Sequence, residues 1–450
     1  MLQRGLKHIR VVGVNLYRNA ALWTAWPRLL GDAMSHAALK FGRTKWPRSS
    51  AYALLLAAPL FSSCDDHDHG CWNCQVSTPF ETSLGLVAGN FNDNGHTSII
   101  ATSTVAYQPQ FNPGNLKSYL STGAGTFGAP TLTPDGNSPL YLAGADLNGD
   151  HLPDVVSASY VDGTLTVFLN NTAAPGTFGA PLKLSSPGAS QVAIGDMNGD
   201  GLPDLVSADF NVSLFIQTSP GTFTSPVSLY AGGANWVAVG DLNGDGMPDV
   251  ALTDPVGVKI LMHTGAAASV TYAAPIAVFT QSVNPGIHGA NLIAIADVNG
   301  DGLNDLVITD PGPVGSPPTV NILVQDAAHP GTFLSPVSYP LPGNSVPQSI
   351  AVTDVNADGH PDIVIGGSAE VSVLLQDASS PGVFLAAANY AVNNANEVAV
   401  ADVNGDGLVD IIVPMGVSHA VLGGVISNNP GVLLQVAGSP GTFGAVQDLP

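Results

Sequence analysis

One nine-residue pattern returns seven times, and no other feature of this chain constrains its fold as strongly. Aligned on the first acidic or amide position, it reads NFNDNGHTS from Asn90, DLNGDHLPD from Asp146, DMNGDGLPD from Asp196, DLNGDGMPD from Asp241, DVNGDGLND from Asp297, DVNADGHPD from Asp354 and DVNGDGLVD from Asp402. The copies are separated by 56, 50, 45, 56, 57 and 48 residues. A second marker interleaves with the first, a turn that is Pro-Gly-Thr-Phe in its commonest form, with its aromatic ring at Phe127, Phe178, Phe223, Tyr272, Phe333, Phe384 and Phe443. Two markers in one period of about 40 to 50 residues, without heptads, are the mark of a propeller or another β-array.

The residues around each motif define the unit. In QVAIGDMNGDGLPDLVSADF, Val192 and Ile194 alternate with small residues before the motif, and Leu205 and Val206 follow it. VSLFIQTS comes next, then the Pro-Gly-Thr-Phe turn and the extended piece FTSPVSLY. Each unit therefore supplies about four short strands, the content of one propeller blade. Seven units over residues 80–450 predict an all-β, seven-bladed propeller. Because the first unit begins at its motif strand and the last ends beyond Phe443, the C-terminal strand is expected to complete the first blade and seal the ring.

The motif carries its own chemistry. It sets side-chain oxygens at positions one, three, five and nine, with a backbone carbonyl at seven, and calcium takes six to eight oxygens at about 2.3–2.6 Å. Without a cation, carboxylates this close raise one another's pKa. Five copies keep every ligand and the glycine: Asp196, Asn198, Asp200 and Asp204; Asp241, Asn243, Asp245 and Asp249; Asp297, Asn299, Asp301 and Asp305; Asp354, Asn356, Asp358 and Asp362; Asp402, Asn404, Asp406 and Asp410. A sixth copy keeps Asp146, Asn148, Asp150 and Asp154, but His151 replaces the glycine, where positive φ costs more. The first copy, with Asn90, Asn92, Asn94 and Ser98, has no carboxylate among its aligned ligands and is expected to be empty or weak. Five or six Ca²⁺ ions are expected.

The calcium loop joined to the interleaved Gly-Thr-Phe-Gly-Ala-Pro element resembles the FG-GAP and VCBS repeats of bacterial surface proteins and of integrin α propellers. The resemblance covers roughly residues 80–450, and it implies a β-propeller with calcium in hairpin loops on one face. The loop is also similar to that of an EF-hand, but position twelve of the Asp196 copy is Ser207, already within a β-rich run, rather than a bidentate Glu.

Charge excludes one class of partner. Of the twelve Lys and Arg, nine precede residue 49, whereas 33 of the 34 Asp and Glu follow residue 63. From Cys64 onward only Lys117, Lys183 and Lys259 are basic, leaving −30; six calcium ions would bring it to about −18. Such a surface repels nucleic acid and, without an Arg, has no bidentate phosphate clamp. The basic residues before the repeats instead fit an export signal: Lys40, Arg43, Lys45 and Arg48, then the apolar run AYALLLAAPLF, then Ser62, Ser63 and Cys64. Eleven apolar residues are fewer than the roughly 20 a membrane span needs. FSSC resembles a bacterial lipobox with Phe61 where Leu is usual, making Cys64 the expected lipidation site, with ordinary secretion as the alternative.

The reading thus divides the chain into a signal region over residues 1–63, in which 1–33 is a misread upstream start, an acidic, His- and Cys-containing tether over 64–79, and the propeller over 80–450. Within the tether, Cys71 and Cys74 either form a small disulfide loop or bind metal.

No nucleophile elbow, zinc helix, Walker loop or dinucleotide fingerprint occurs in the exported part. His96 and His360 occupy a motif position whose backbone carbonyl does the work. His263, His288, His329 and His419 read as scattered surface residues. Asp162, Asp209, Asp254 and Asp310 are the carboxylates able to converge on the face opposite the loops, although the last three stand five residues after their loop's final Asp, which points to a repeated structural role. The function read from the sequence is a non-catalytic, calcium-stabilised, monomeric binding or adhesion module on the bacterial cell surface, anchored only through lipid, holding a glycan or a protein. The segments NLKSYLSTGAG and QSVNPGIHGAN are its candidate variable loops. The rival is a polysaccharide-acting hydrolase or lyase with its site at the propeller axis. Only Trp72 and Trp236 are available there as indole platforms for sugars.

Overall fold

The computed structural model describes residues 80–82, 85–106, 113–265, 270–280, 292–313, 316–343, 345–392, 395–414 and 429–449. The expected signal region, the tether and Cys64, Cys71 and Cys74 lie outside the described residues, as do His288, His419 and the segment QSVNPGIHGAN.

Among the described residues there is no helix, and the strands form seven antiparallel blade sheets and two small two-stranded hairpins. In each of blades 2 to 7 the chain runs inner, second, third and outer strand in sequence order, as in blade 3 with Gln191–Gly195, Asp204–Ala208, Val212–Phe215 and Val227–Tyr230. In blade 1 the inner strand is split, with Phe80–Thr82 and Leu86–Gly89 both pairing along Ser98–Ala106. The expected all-β, seven-bladed propeller is therefore what the chain forms.

Why the strands read as they do follows from their place in the ring. A second strand has a neighbouring blade on each side, so Asp249–Asp254 and Asp305–Asp310 are buried at every residue and carry near-continuous apolar runs. Outer strands face solvent: Leu182–Ser185 and Val337–Pro340 are mostly exposed. The core is correspondingly divided into seven layers, one per junction between blades. Leu147, Val156, Leu165, Val192, Leu205 and Phe215 join blades 2 and 3, and Val298, Val307, Ile322, Ile363 and Leu374 join blades 5 and 6. Truncating one such Leu to Ala costs about 2–5 kcal/mol.

The inner strands stand side by side in blade order, and the series returns on itself, with Leu86–Gly89 beside Ala399–Ala401. Closure does not occur as expected. The C-terminal strand, Gln447–Asp448, pairs with Gly431–Leu433 of its own blade, and Phe443 bridges to Gln435. The physical reason is that each repeat closes its own hairpin around the aromatic turn, so no strand is left over for blade 1. The junction is instead sealed by packing, with Leu86, Ile99 and Tyr119 of blade 1 against Val403, Ile412, Val432 and Leu449 of blade 7. A second correction concerns NLKSYLSTGAG, expected as a loop. It forms most of the third strand, Pro113–Tyr119, and one arm of a small hairpin, Ser121–Gly123.

Candidate metal centres

Every inner strand ends at a motif loop and every second strand starts there, so all seven loops lie at one end of the propeller. They share one backbone. Positions four and six are left-handed throughout, whether they hold glycine, as in Gly244 (φ 75°) and Gly246 (φ 84°), or Asp93 (φ 55°), His151 (φ 70°) and Ala357 (φ 61°). The pattern recognised the glycine at six; the same need at four escaped it.

Side-chain oxygens hold this backbone. In the Asp241 loop, Oδ1 of Asp241 accepts N–H bonds from Gly244 at 2.6 Å and Asp245 at 3.2 Å, and Oδ2 accepts from Gly246 at 2.8 Å. Asn243 Oδ1 accepts from Asp245 at 2.9 Å, and Asp245 Oδ1 accepts from Met247 at 2.8 Å. The loops that begin at Asp146, Asp196, Asp297, Asp354 and Asp402 repeat the scheme. Blade 1 reaches it with amides alone: Asn90 Oδ1 accepts from Asn94 and Gly95, while the side-chain amides of Asn92 and Asn94 both donate to Ser121 O, at 2.8 and 2.7 Å.

The ninth position is set apart. Asp154, Asp204, Asp249, Asp305, Asp362 and Asp410 are fully buried. One oxygen of each accepts the N–H of the loop's second residue at 2.8–3.1 Å. The other accepts an N–H just beyond the third strand, from Asn170, Gln217, His263, Gln325, Gln376 or Gln435, at 2.6–2.8 Å. Desolvation by burial pushes the carboxyls of Asp154, Asp204, Asp249, Asp305 and Asp362 up to about 6, helped by the loop's other carboxylates and opposed by these N–H donors. Asp410 is raised by the same cause.

Those six partners are residues the sequence reading missed. Each pairs with its blade's aromatic marker through a β-bridge, as Gln217 does with Phe223 in a short strand pair. Where the residue is Gln or Asn it also clasps the loop to the turn. Gln376 Nε2 donates to Pro361 O at 2.8 Å and its Oε1 accepts from Gly382 at 2.9 Å. Gln435 reaches one blade further, donating to Val355 O and Val409 O, both at 2.7 Å. His263, read as a surface residue, occupies this position and is buried; His329 is exposed and lies 2.8 Å from Asp326.

The loops also touch their neighbours. The turn glycines Gly331, Gly382 and Gly125 lie against Asn243, Asn299 and Asn404, each on the preceding blade around the ring. Each of the six Asp-initiated loops thus gathers three carboxylates and an amide, an all-oxygen donor set suited to calcium by chemistry. In their present arrangement the oxygens point at loop N–H groups, and among the described residues no group of three or more His, Cys, Asp or Glu side chains is placed to hold a metal ion.

At the other end of the propeller the four acidic residues named as a convergent site are each engaged at a blade turn, Asp162 and Asp254 also with the outer strand of the preceding blade. Asp209 accepts from Ser186 and Ser207 Oγ, at 2.7 and 3.1 Å, and caps its turn through Asn211 N. Asp254 caps Val256 and Gly257 and is bonded to Tyr230 OH and Lys259; burial works to raise it, and these partners hold it below the usual range. Asp310 caps Gly312, and Asp162 accepts from Asn137. The axial channel, about 370 Å³, is lined by inner-strand residues including Tyr141, Gln191, Trp236, Ile293 and Ile350.

With this geometry in hand, the family can be read. The FG-GAP-like repeat matches residues 146–207, 196–252, 297–365 and 354–413, each span running from one motif through the strand after the next. The chain carries FG-GAP-like repeats. No curated protein matches this FG-GAP-like chain. Among solved structures it is similar to a lectin of Agrocybe aegerita that recognises non-reducing terminal N-acetylglucosamine, at 18% identity over 71% of this chain and 82% of the lectin, with a TM-score of 0.47. It is also similar to a V. cholerae biofilm matrix protein, at 14% identity over 75% and 84% with a TM-score of 0.37, and to a rhamnogalacturonan lyase, at 10% identity over 74% and 70% with a TM-score of 0.40.

Proposed function

We propose that this FG-GAP-like propeller is a non-catalytic, calcium-stabilised binding or adhesion module of the bacterial cell surface, exported, anchored through a lipid on Cys64 and monomeric, which holds a glycan or a protein. The observation that carries the reading is that every dense carboxylate cluster among the described residues already has a structural task, in a motif loop or at a blade turn. A catalytic acid/base pair needs two carboxyls free to face one substrate. Calcium in the six Asp-initiated loops would bind through positions one, three, five and nine and replace loop N–H groups as the partner of their charge. The chain's net charge favours cations over anionic ligands. The test pairs a glycan array and protein pull-downs with turnover assays on a polysaccharide panel. Binding without product release supports the module, and product release from any polysaccharide overturns it in favour of a hydrolase or lyase. The axial channel with Tyr141, Gln191 and Trp236 is the feature that supports this second reading.

A further inference from the structure

The residue five before each motif marks one level of the ring, at the end opposite the loops: Gly85, Tyr141, Gln191, Trp236, Leu292, Ser349 and Glu397. Three of these side chains reach the next blade and satisfy a backbone group one residue further along its inner strand. Gln191 Oε1 accepts from Val237 N at 3.1 Å, Trp236 Nε1 donates to Ile293 O at 3.1 Å, and Glu397 Oε2 accepts from Leu86 N at 2.6 Å. They fasten the junctions of blades 3 to 4, 4 to 5 and 7 to 1. The last of these differs from the other six junctions because no chain segment crosses it, and of the three fastenings at this level it alone uses an ionisable side chain.

Glu397 is 5% exposed. Space for it exists because blade 1 has glycine at this level: a Cβ on Gly85 would stand 3.1 Å from Glu397 Oε2 and 3.0 Å from both Leu140 O and Leu142 N. On the blade 1 side, Gly85 and Leu86 carry no charge; on the blade 6 side, neither do Gln348 and Ser349. From blade 2 the phenol of Tyr141 faces it, another group whose ionisation burial opposes. The charged groups elsewhere in the junction are Lys117, whose Nζ donates to Asn429 Oδ1 at 3.0 Å, and the carboxylates of the Asp402 loop at the opposite end of the inner strand. Burial raises the Glu397 carboxyl well above its ordinary value, outweighing the Leu86 N–H. Further polar ties across the junction join neutral groups, Thr97 Oγ1 to Asp402 O at 2.7 Å, Gly125 N to Val403 O at 3.0 Å and Tyr119 OH to Asn429 Oδ1 at 2.8 Å.

We propose that the junction of blades 7 and 1 is a proton-controlled latch: protonated Glu397 keeps the ring closed, and loss of its proton opens the ring there rather than at any junction the chain crosses. The proton goes to solvent, and the carboxylate left behind regains hydration only when the Leu86 edge moves away. Because the folded state holds this proton more tightly than the unfolded chain does, closure is fully supported below the ordinary Glu value and weakens as pH rises above it. The latch does not depend on calcium or on the identity of any ligand.

Amide hydrogen exchange on the full chain tests it, in calcium and in chelator, between pH 5 and 9 and corrected for intrinsic exchange. Protection of Leu86 to Ala88 and of Ala399 to Ala401 should fall at least tenfold across that range relative to Val237 to Val239 at the blade 3 to 4 junction. Glu397→Gln, which keeps an acceptor for Leu86 but carries no charge, should hold its protection throughout. An equal pH-dependent loss in E397Q overturns the latch. If E397Q folds poorly, the wild-type comparison decides alone, since loss spread evenly over all junctions also overturns it.

Discussion

Asp249 accepts the backbone N–H of His263 at 2.6 Å, across fourteen residues, while its second oxygen accepts that of Leu242 at 2.8 Å. One buried carboxylate thus fixes the motif loop to the end of the third strand. Replacing Asp249 with Ala orphans two buried donors, each worth about 1–3 kcal/mol, so a loss of roughly 2–6 kcal/mol is expected in a urea melt. Asp245→Ala, at an exposed loop position, should cost less than half as much in chelator.

The clasp predicts a second loss. Gln435 joins its own loop, its turn glycine and the Asp354 loop of blade 6 through three bonds of 2.7–2.9 Å. Gln435→Ala should destabilise the protein by about 2–3 kcal/mol in chemical denaturation. Gln217→Ala, whose Nε2 bond at 3.1 Å stays within its own blade, should cost less.

These clasps also mark where the sequence stopped being informative. The number of blades, their four strands and the positions of the loops were legible because each follows from local spacing and turn chemistry. The clasp was not, because the residue is Gln in four blades but Asn170 in blade 2 and His263 in blade 4, at varying distance from the motif. The level holding Gly85, Tyr141, Trp236 and Glu397 shares no residue type at all and becomes visible only once the blades stand in a ring. Closure was misjudged for a related reason: a free strand beyond Phe443 reads the same whether it joins the first sheet or the last.

Calcium should act through mass action. A site held at a hundred times its Kd adds about 2.7 kcal/mol, so chelation should lower Tm and excess calcium restore it. Asp241→Ala with Asp245→Ala should reduce the calcium-dependent rise in Tm by about one site's share, leaving the rest. Identical melts in chelator and in millimolar calcium would sink the calcium reading.

Asp135 predicts a pH dependence of its own. Burial pushes its carboxyl up to about 7, against the Ser157 hydroxyl bonded to it at 2.7 Å and the nearby Lys183. A raised folded value means stability that is complete below the ordinary Asp value near 4 and is lost as pH rises through about 7. Asp135→Asn should remove that component, so the difference in Tm between variant and wild type should grow in the variant's favour from pH 4 to pH 7.5. A difference that stays constant over this range rules it out.

Backbone strain gives a stabilising prediction. Ala357 sits at φ 61° in the fourth position of its loop, where the Asp402 loop has Gly405 at φ 77°. Ala357→Gly should stabilise the protein by about 1 kcal/mol by removing the Cβ penalty, read as a higher denaturation midpoint at unchanged slope.

Because every blade draws its strands from one continuous stretch of chain, the order in which the blades are joined is separable from the structure of each blade. New ends placed between Asn137 and Pro139, where a single residue, Ser138, links blade 1 to blade 2, would divide no hairpin. With a linker joining the old ends, such a circular permutant would move the uncrossed junction from blades 7 and 1 to blades 1 and 2. The weakest joint of this ring is thereby a matter of connectivity, open to relocation without changing one residue of the core.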